Sequence, residues 1–221
     1  MGGLGLGGAW LGRRSERSAH LLRLYGTLEA AVGICALLTP ALLYCVRALY
    51  IGSGGVVALG PVTATLLQVL LSVVVLLPPC TLMGGTLPVA VRCAQTDADA
   101  GRGSAGLLYG VNALGAVAGT AVSTFLLLEL LGARGTLYAA AALNLAIAAA
   151  ALLLAPRGAD GAGTQSIQPV PASGGVGSKA GPDCPAGFAY AAAFTTGFVF
   201  FLGELVWYRM LAPLMGSSTY T

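Results

Sequence analysis

Apolar residues in this chain come in runs much longer than one face of a soluble helix requires, and the polar positions collect between those runs. A bilayer core takes about 20 consecutive apolar residues per helix. Measured by that ruler, the sequence predicts spans over 24–46, 60–90, 104–131, 136–155 and 186–214. The expected fold class is all-α, a polytopic transmembrane helix bundle of about five full spans. The stretch 1–11 (MGGLGLGGAWL) is apolar and glycine-rich but too short to cross, so it reads as a partial N-terminal span whose beginning is missing. A secretory signal would need a basic segment before the apolar run, and here the arginines follow it. At the other end the chain stops within Gly216-Ser217-Ser218-Thr219-Tyr220-Thr221. Both ends read as cut, which is the expectation for a fragment.

The run 60–90 is awkward. As one straight helix it would measure ~46 Å at 1.5 Å per residue, against a core of ~30 Å. Pro78, Pro79 and Pro88 interrupt it, and proline removes helical hydrogen bonds and kinks the helix. Either one kinked, tilted helix crosses here, or the helix breaks at Pro78 and re-enters.

Between 156 and 185 the composition changes to Gly, Pro, Ser and Ala with few large apolar groups. Such a segment buries too little surface to offset its ordering entropy, so it reads as a flexible linker. The organisation expected is a first transmembrane block over 1–155, this linker over 156–185, and the start of a second block over 186–221.

Composition fits this picture and narrows it. Of 221 residues, 57% are hydrophobic and 9% charged, and the mean hydropathy is +0.84. Soluble domains carry about 25% charged residues, so this chain lacks the polar groups to cover a water-facing surface. A soluble enzyme, a nucleic-acid binder and a disordered tail are excluded, and the lipid bilayer is the first partner implied. The net charge of +3 comes from scattered arginines. With 12–23 on the cytoplasmic side, the inner segments hold Arg13, Arg14, Arg17, Arg23, Arg92, Arg102, Arg157 and Lys179, eight in all, while Arg47 and Arg134 lie outside and Arg209 falls within the last span. Positive charge favours the cytoplasmic side. The bias therefore predicts an inner-membrane protein with the N-terminal loop and the 156–185 linker in the cytoplasm.

Charges inside the membrane cost roughly 3 kcal/mol on insertion scales, so each one needs a reason. Glu29, in the first turn of its span, is expected to reach the headgroups, and Glu129 to sit near Arg134 at an outer end. Glu204 lies deep in the last span, with Trp207 and Tyr208 at i+3 and i+4. A carboxylate beside two rings can bind an organic cation through charge and cation–π attraction, or it can pair with an arginine of a neighbouring helix. Arg209 lies about 140° round the helix from Glu204 and needs a partner elsewhere. In the third span Gly106-x-x-x-Gly110 and Gly115-x-x-x-Gly119 are small-residue pairs of the kind that let helices approach closely. Tyr109, Asn112, Ala116, Gly119 and Ser123 form one small-and-polar stripe, which suits a helix partner or an internal cavity. One histidine, His20, and five cysteines without C-x-x-C spacing offer no metal site and no Ser/His/Asp set. No catalytic residue, metal or cofactor is implied.

Several segments then combine. Leu24-Tyr25-Gly26-x-x-Glu29-Ala30, Leu77-Pro78-Pro79-x-x-Leu82-Met83-Gly84-Gly85-Thr86-Leu87-Pro88 and Leu108-Tyr109-Gly110-Val111-Asn112-x-x-Gly115-Ala116 occur in this order. Gly132-x-Arg134-Gly135-Thr136 and Glu204-x-x-Trp207-x-Arg209-x-Leu211, with Gly216-Ser217-Ser218-x-Tyr220, follow them. Together the series resembles the membrane portion of bacterial fused major-facilitator/spermidine-synthase-like proteins, over nearly the whole chain. The resemblance implies a major-facilitator-like bundle that precedes a soluble polyamine aminopropyltransferase-like domain, and a chain that begins late in a second span and stops in a seventh. The partners it implies are the missing C-terminal helices, that soluble domain, and a polyamine or related small organic cation. Gly8-x-x-x-Gly12-Arg13-Arg14 is similar to the major-facilitator loop signature, although Gly12 stands where that signature carries aspartate. The expected role is a membrane anchor that also handles polyamines or related cations, with Glu204, Trp207, Tyr208, Asn112 and Tyr109 as the candidate substrate-binding residues. The alternatives are a transporter fragment with no enzymatic partner, or a purely structural scaffold.

Overall fold

A computed structural model describes residues 2–16, 18, 20–94, 103–155 and 184–212, and these are helical almost throughout. The linker 156–185 lies outside the described residues except for its last two, as does the 216–220 motif. The helices are α1 (Gly2–Glu16), α2 (Leu21–Gly52), α3 (Gly55–Ala94), α4 (Gly103–Val122), a π-helical turn (Ser123–Leu127), α5 (Leu128–Leu154) and α6 (Ala186–Leu211). Four helical stretches are long and apolar enough to cross a membrane, the third running from Ala105 to Leu154 over 50 residues. A straight helix of that length would reach ~75 Å, well over twice a bilayer core. The backbone leaves helical geometry inside it at Gly132 (φ 66°, ψ 178°), a conformation open to glycine because it has no Cβ.

Neighbour pairs show that the chain reverses there. Gly115 and Gly119 of α4 lie against Phe194 and Phe198 of α6, so these two helices run parallel. Beyond Gly132, Leu137 and Ala140 of α5 share a core with Leu202 and Val206, whereas Ala151 and Ala155 share another with Ala192. That order is antiparallel to α6. The 50-residue stretch is thus two spans, and five crossings result.

α1 extends past the expected apolar end and stays helical through Glu16, so the arginines Arg13 and Arg14 occupy its last turn. Cations suit that position because the helix dipole is negative there. α1 runs parallel to α3 on glycine contacts from both sides: Gly7 meets the Thr81 backbone, Gly84 meets Leu4, and Gly85 meets Leu11. Of the two alternatives for the run 60–90, the break at Pro78 does not occur. Inside α3 the only non-helical backbone is at Gly60 (φ 74°), directly before Pro61, while Pro78, Pro79 and Pro88 are carried within the helix. A helix tolerates proline where neighbours take up the carbonyls left free. Pro88 leaves the Gly84 carbonyl without its usual N–H, and Gly8 of α1 packs against that oxygen.

The surface is that of a membrane protein. Val57 is 98% exposed, and Val62, Leu66, Val117, Phe125 and Leu153 also point outward. The buried positions, by contrast, include Glu29, Thr39, Ser72, Thr86, Ser123, Thr136, Asn144 and Thr196. Apolar groups outside and polar groups inside is the arrangement lipid selects, because between helices and lipid there is no hydrophobic difference to exploit. One core lies toward the Gly132 end around Leu137, Leu202 and Trp207. A second lies toward the His20 end around Leu22, Tyr25, Val89 and Ala151.

Candidate functional site

The third turn of α2 places Glu29 toward α6, and α6 closes over it. Glu29 is 2% exposed. The Thr196 hydroxyl donates to its Oε1 at 3.0 Å. Tyr25, one turn earlier on the same face of α2, has its hydroxyl 3.1 Å from Thr196 Oγ1. Thr196 has one hydroxyl proton, and it goes to the carboxylate, so Tyr25 is the donor in that contact; a longer contact of 3.4 Å reaches the Ala192 carbonyl. The Tyr25 ring meets Phe188 edge to face, with centroids 6.2 Å apart. Glu29 was expected at the headgroups. The structure corrects this: a helix remote in sequence covers α2 there, and the carboxylate takes its hydrogen bond from that helix.

The remaining sequence-derived residues fall into separate places. Gly115 and Gly119 meet the backbones of Phe194 and Phe198, and Gly197 meets Asn112, so α4 and α6 touch main chain to main chain. Gly106 and Gly110 do not pack. A Cβ at either would stand in open space, because both lie on another face of α4, about 160–200° round the helix from Leu108, which is buried against Ala189 and Ala193 of α6. Of the polar stripe, Tyr109 is 53% exposed, Asn112 is half-buried and Ser123 is buried. Trp207 turns into the core, whereas Glu204 is exposed and Tyr208 is 64% exposed. The set Glu204, Trp207, Tyr208, Asn112 and Tyr109 is not assembled into one site among the described residues. At 3.6 residues per turn, Trp207 and Tyr208 point about 100° apart, and burying the indole in the core carries Tyr208 outward.

Among the described residues, a cavity opens at each end of the bundle. One of about 770 Å³ lies at the His20 end, lined by Trp10, Arg13, Arg14, His20, Arg23 and Thr27 among others. The other, of about 540 Å³, lies at the Gly132 end and is reached by Arg47, Arg134 and Arg209. Arg209, which lacked a partner on its own helix, therefore joins two other arginines. Sequence reasoning treated each of the three separately, and only the convergence of α2, α5 and α6 unites them. Among the described residues no group of three or more His, Cys, Asp or Glu lies close enough to hold a metal ion.

Neither a protein-family model, nor a curated protein, nor a solved structure matches the chain.

Proposed function

We propose that this chain is the membrane-anchoring domain of a spermidine-synthase-like fusion, a bundle that holds a polyamine aminopropyltransferase-like domain at the bilayer. The observation that carries this reading is where the motif residues lie. Gly26 packs on Ala151 and Leu152, Gly84 and Gly85 on α1, and Gly115 on α6, while Tyr25 and Glu29 bond to Thr196. Residues from three of the recurring segments thus lie at helix–helix contacts, which suits a rigid platform. Any polyamine or related cation entering the bundle would meet Glu29, the buried carboxylate among the described residues. A second reading, a major-facilitator-type transporter without an enzymatic partner, draws on the same link, because Glu29 joins the first block to α6.

Membranes from cells expressing the complete open reading frame test both. The anchor reading expects the protein to resist alkaline carbonate extraction and to bring putrescine-dependent aminopropyl transfer into the membrane fraction. Retention without transfer, together with spermidine uptake that Glu29→Gln abolishes, would replace it by the transporter. Release into the soluble fraction would overturn both.

A further inference from the structure

The seven basic residues among the described residues divide between the ends of the bundle. Arg13, Arg14, Arg23 and Arg92 lie at the His20 end. The other three, Arg47, Arg134 and Arg209, all line the single cavity of about 540 Å³ at the Gly132 end. They come from different helices: the last turns of α2, the start of α5 just beyond Gly132, and the end of α6. The cavity is also lined by Tyr44, Tyr50 and Gln68, which add hydroxyl and amide donors, and the rest of its lining is apolar. No carboxylate lines it among the described residues, and Glu129 and Glu204 both stand elsewhere on the surface. Like charges repel when gathered in a partly apolar pocket, so three guanidinium groups in one cavity call for an anion between them.

We infer that this cavity is a binding site for a phosphate group, with Arg47, Arg134 and Arg209 as its ligands. Guanidinium is the side chain best matched to phosphate, since its planar fork donates two parallel hydrogen bonds and stays charged at all working pH values. Tetrahedral phosphate offers oxygens in several directions, which suits donors arriving from three helices. The phosphate has two possible sources, an anionic phospholipid headgroup or a soluble phosphorylated compound. The apolar remainder of the lining, Pro40, Leu43, Ile51, Val56 and Met210, suits the glycerol and upper acyl carbons of a lipid.

The test uses the full chain purified in a maltoside detergent, which contains no phosphate. Inorganic phosphate and glycerol 3-phosphate are titrated in one arm, short-chain phosphatidylglycerol in another, and the matching diacylglycerol as control. Thermal unfolding and native mass spectrometry are the readouts. Stabilisation and bound mass are expected from at least one phosphate-bearing probe and not from diacylglycerol. An arginine near a membrane surface contributes ~1 kcal/mol toward an anionic lipid, so Arg47→Gln, Arg134→Gln or Arg209→Gln should each weaken binding roughly fivefold. Arg13→Gln, at the opposite end, should leave it unchanged. Where a glutamine variant fails to elute as a monodisperse peak, the lysine variant replaces it and should still bind several-fold more weakly, because it lacks the fork. Response to phosphatidylglycerol alone identifies a lipid site, and response to the soluble probes identifies a free phosphate compound. No response to any phosphate-bearing probe, an equal response to diacylglycerol, or glutamine variants that bind like the parent would overturn the inference.

Discussion

Thr196 gives its one hydroxyl proton to Glu29, and Tyr25 bonds to Thr196 in turn; this chain of three residues is what a substitution at Glu29 would disturb. Glutamine keeps a carbonyl oxygen where Oε1 now lies, so Glu29→Gln should shift stability by less than about 1 kcal/mol if the carboxyl serves as an acceptor. Glu29→Leu leaves the buried Thr196 hydroxyl without its acceptor, and an unmade buried hydrogen bond costs about 1–3 kcal/mol. Thermal unfolding in detergent, followed by tryptophan fluorescence, should show a lower midpoint for the leucine variant alone. Equal loss in both variants would mean that the charge, and not the acceptor, is used. That Glu29 needed a reason was legible in the sequence, because carboxylates in apolar runs are rare. What it bonds to was not, since Thr196 lies on the far side of a long linker and no local spacing points to it.

At the scale of the helix, two small-residue pairs with the same spacing have opposite fates. Gly115 and Gly119 face main-chain atoms of α6, while Gly106 and Gly110 face open space. Valine at Gly115 or Gly119 forces α4 and α6 apart, and overpacking of this kind costs roughly 1–3 kcal/mol. Alanine at Gly106 or Gly110 meets nothing and restricts the unfolded backbone, so it should be neutral or stabilising by up to ~1 kcal/mol. Unfolding midpoints of the four single variants check the contrast, which fails if both pairs respond alike. The sequence marked all four as packing residues. It could not separate them, because the motif is a property of one helix and contact is a property of two. The prolines of α3 teach a similar lesson: Pro78 and Pro79 are local helix breakers, yet the backbone departs from helical geometry only at Gly60.

For the whole molecule, the arrangement at the His20 end can be read through Cys184. This thiol sits just before α6 and is half-buried. A hydrogen bond with Cys93, at the end of α3, holds it below the ordinary thiol range, against partial burial that pushes it up. A lowered value means more thiolate at neutral pH and so faster alkylation than an ordinary thiol shows. In Cys93→Ala only the opposing effect of burial remains, so the alkylation profile of Cys184 should move to higher pH. Carried out with a membrane-impermeant maleimide, the same labelling tests the sidedness that the arginine bias predicts: intact cells should be unreactive at Cys184 until permeabilised.

The sequence by itself determined that this chain is all-helical and built for lipid, and where its spans lie to within a few residues. Those properties are sums over single segments, since twenty apolar residues exclude water wherever their neighbours are. It also separated Arg13, Arg14, Arg23 and Arg92 from Arg47 and Arg134, which the structure has at opposite ends of the bundle. Tertiary structure alone decided which groups come together: Glu29 bonded to Thr196, Gly115 against the α6 backbone, and Arg47, Arg134 and Arg209 on one cavity. Each of these pairings joins residues from different helices, and in a bilayer the face one helix turns to another is chosen by close packing and hydrogen bonds, which hydropathy along one strand of sequence does not register.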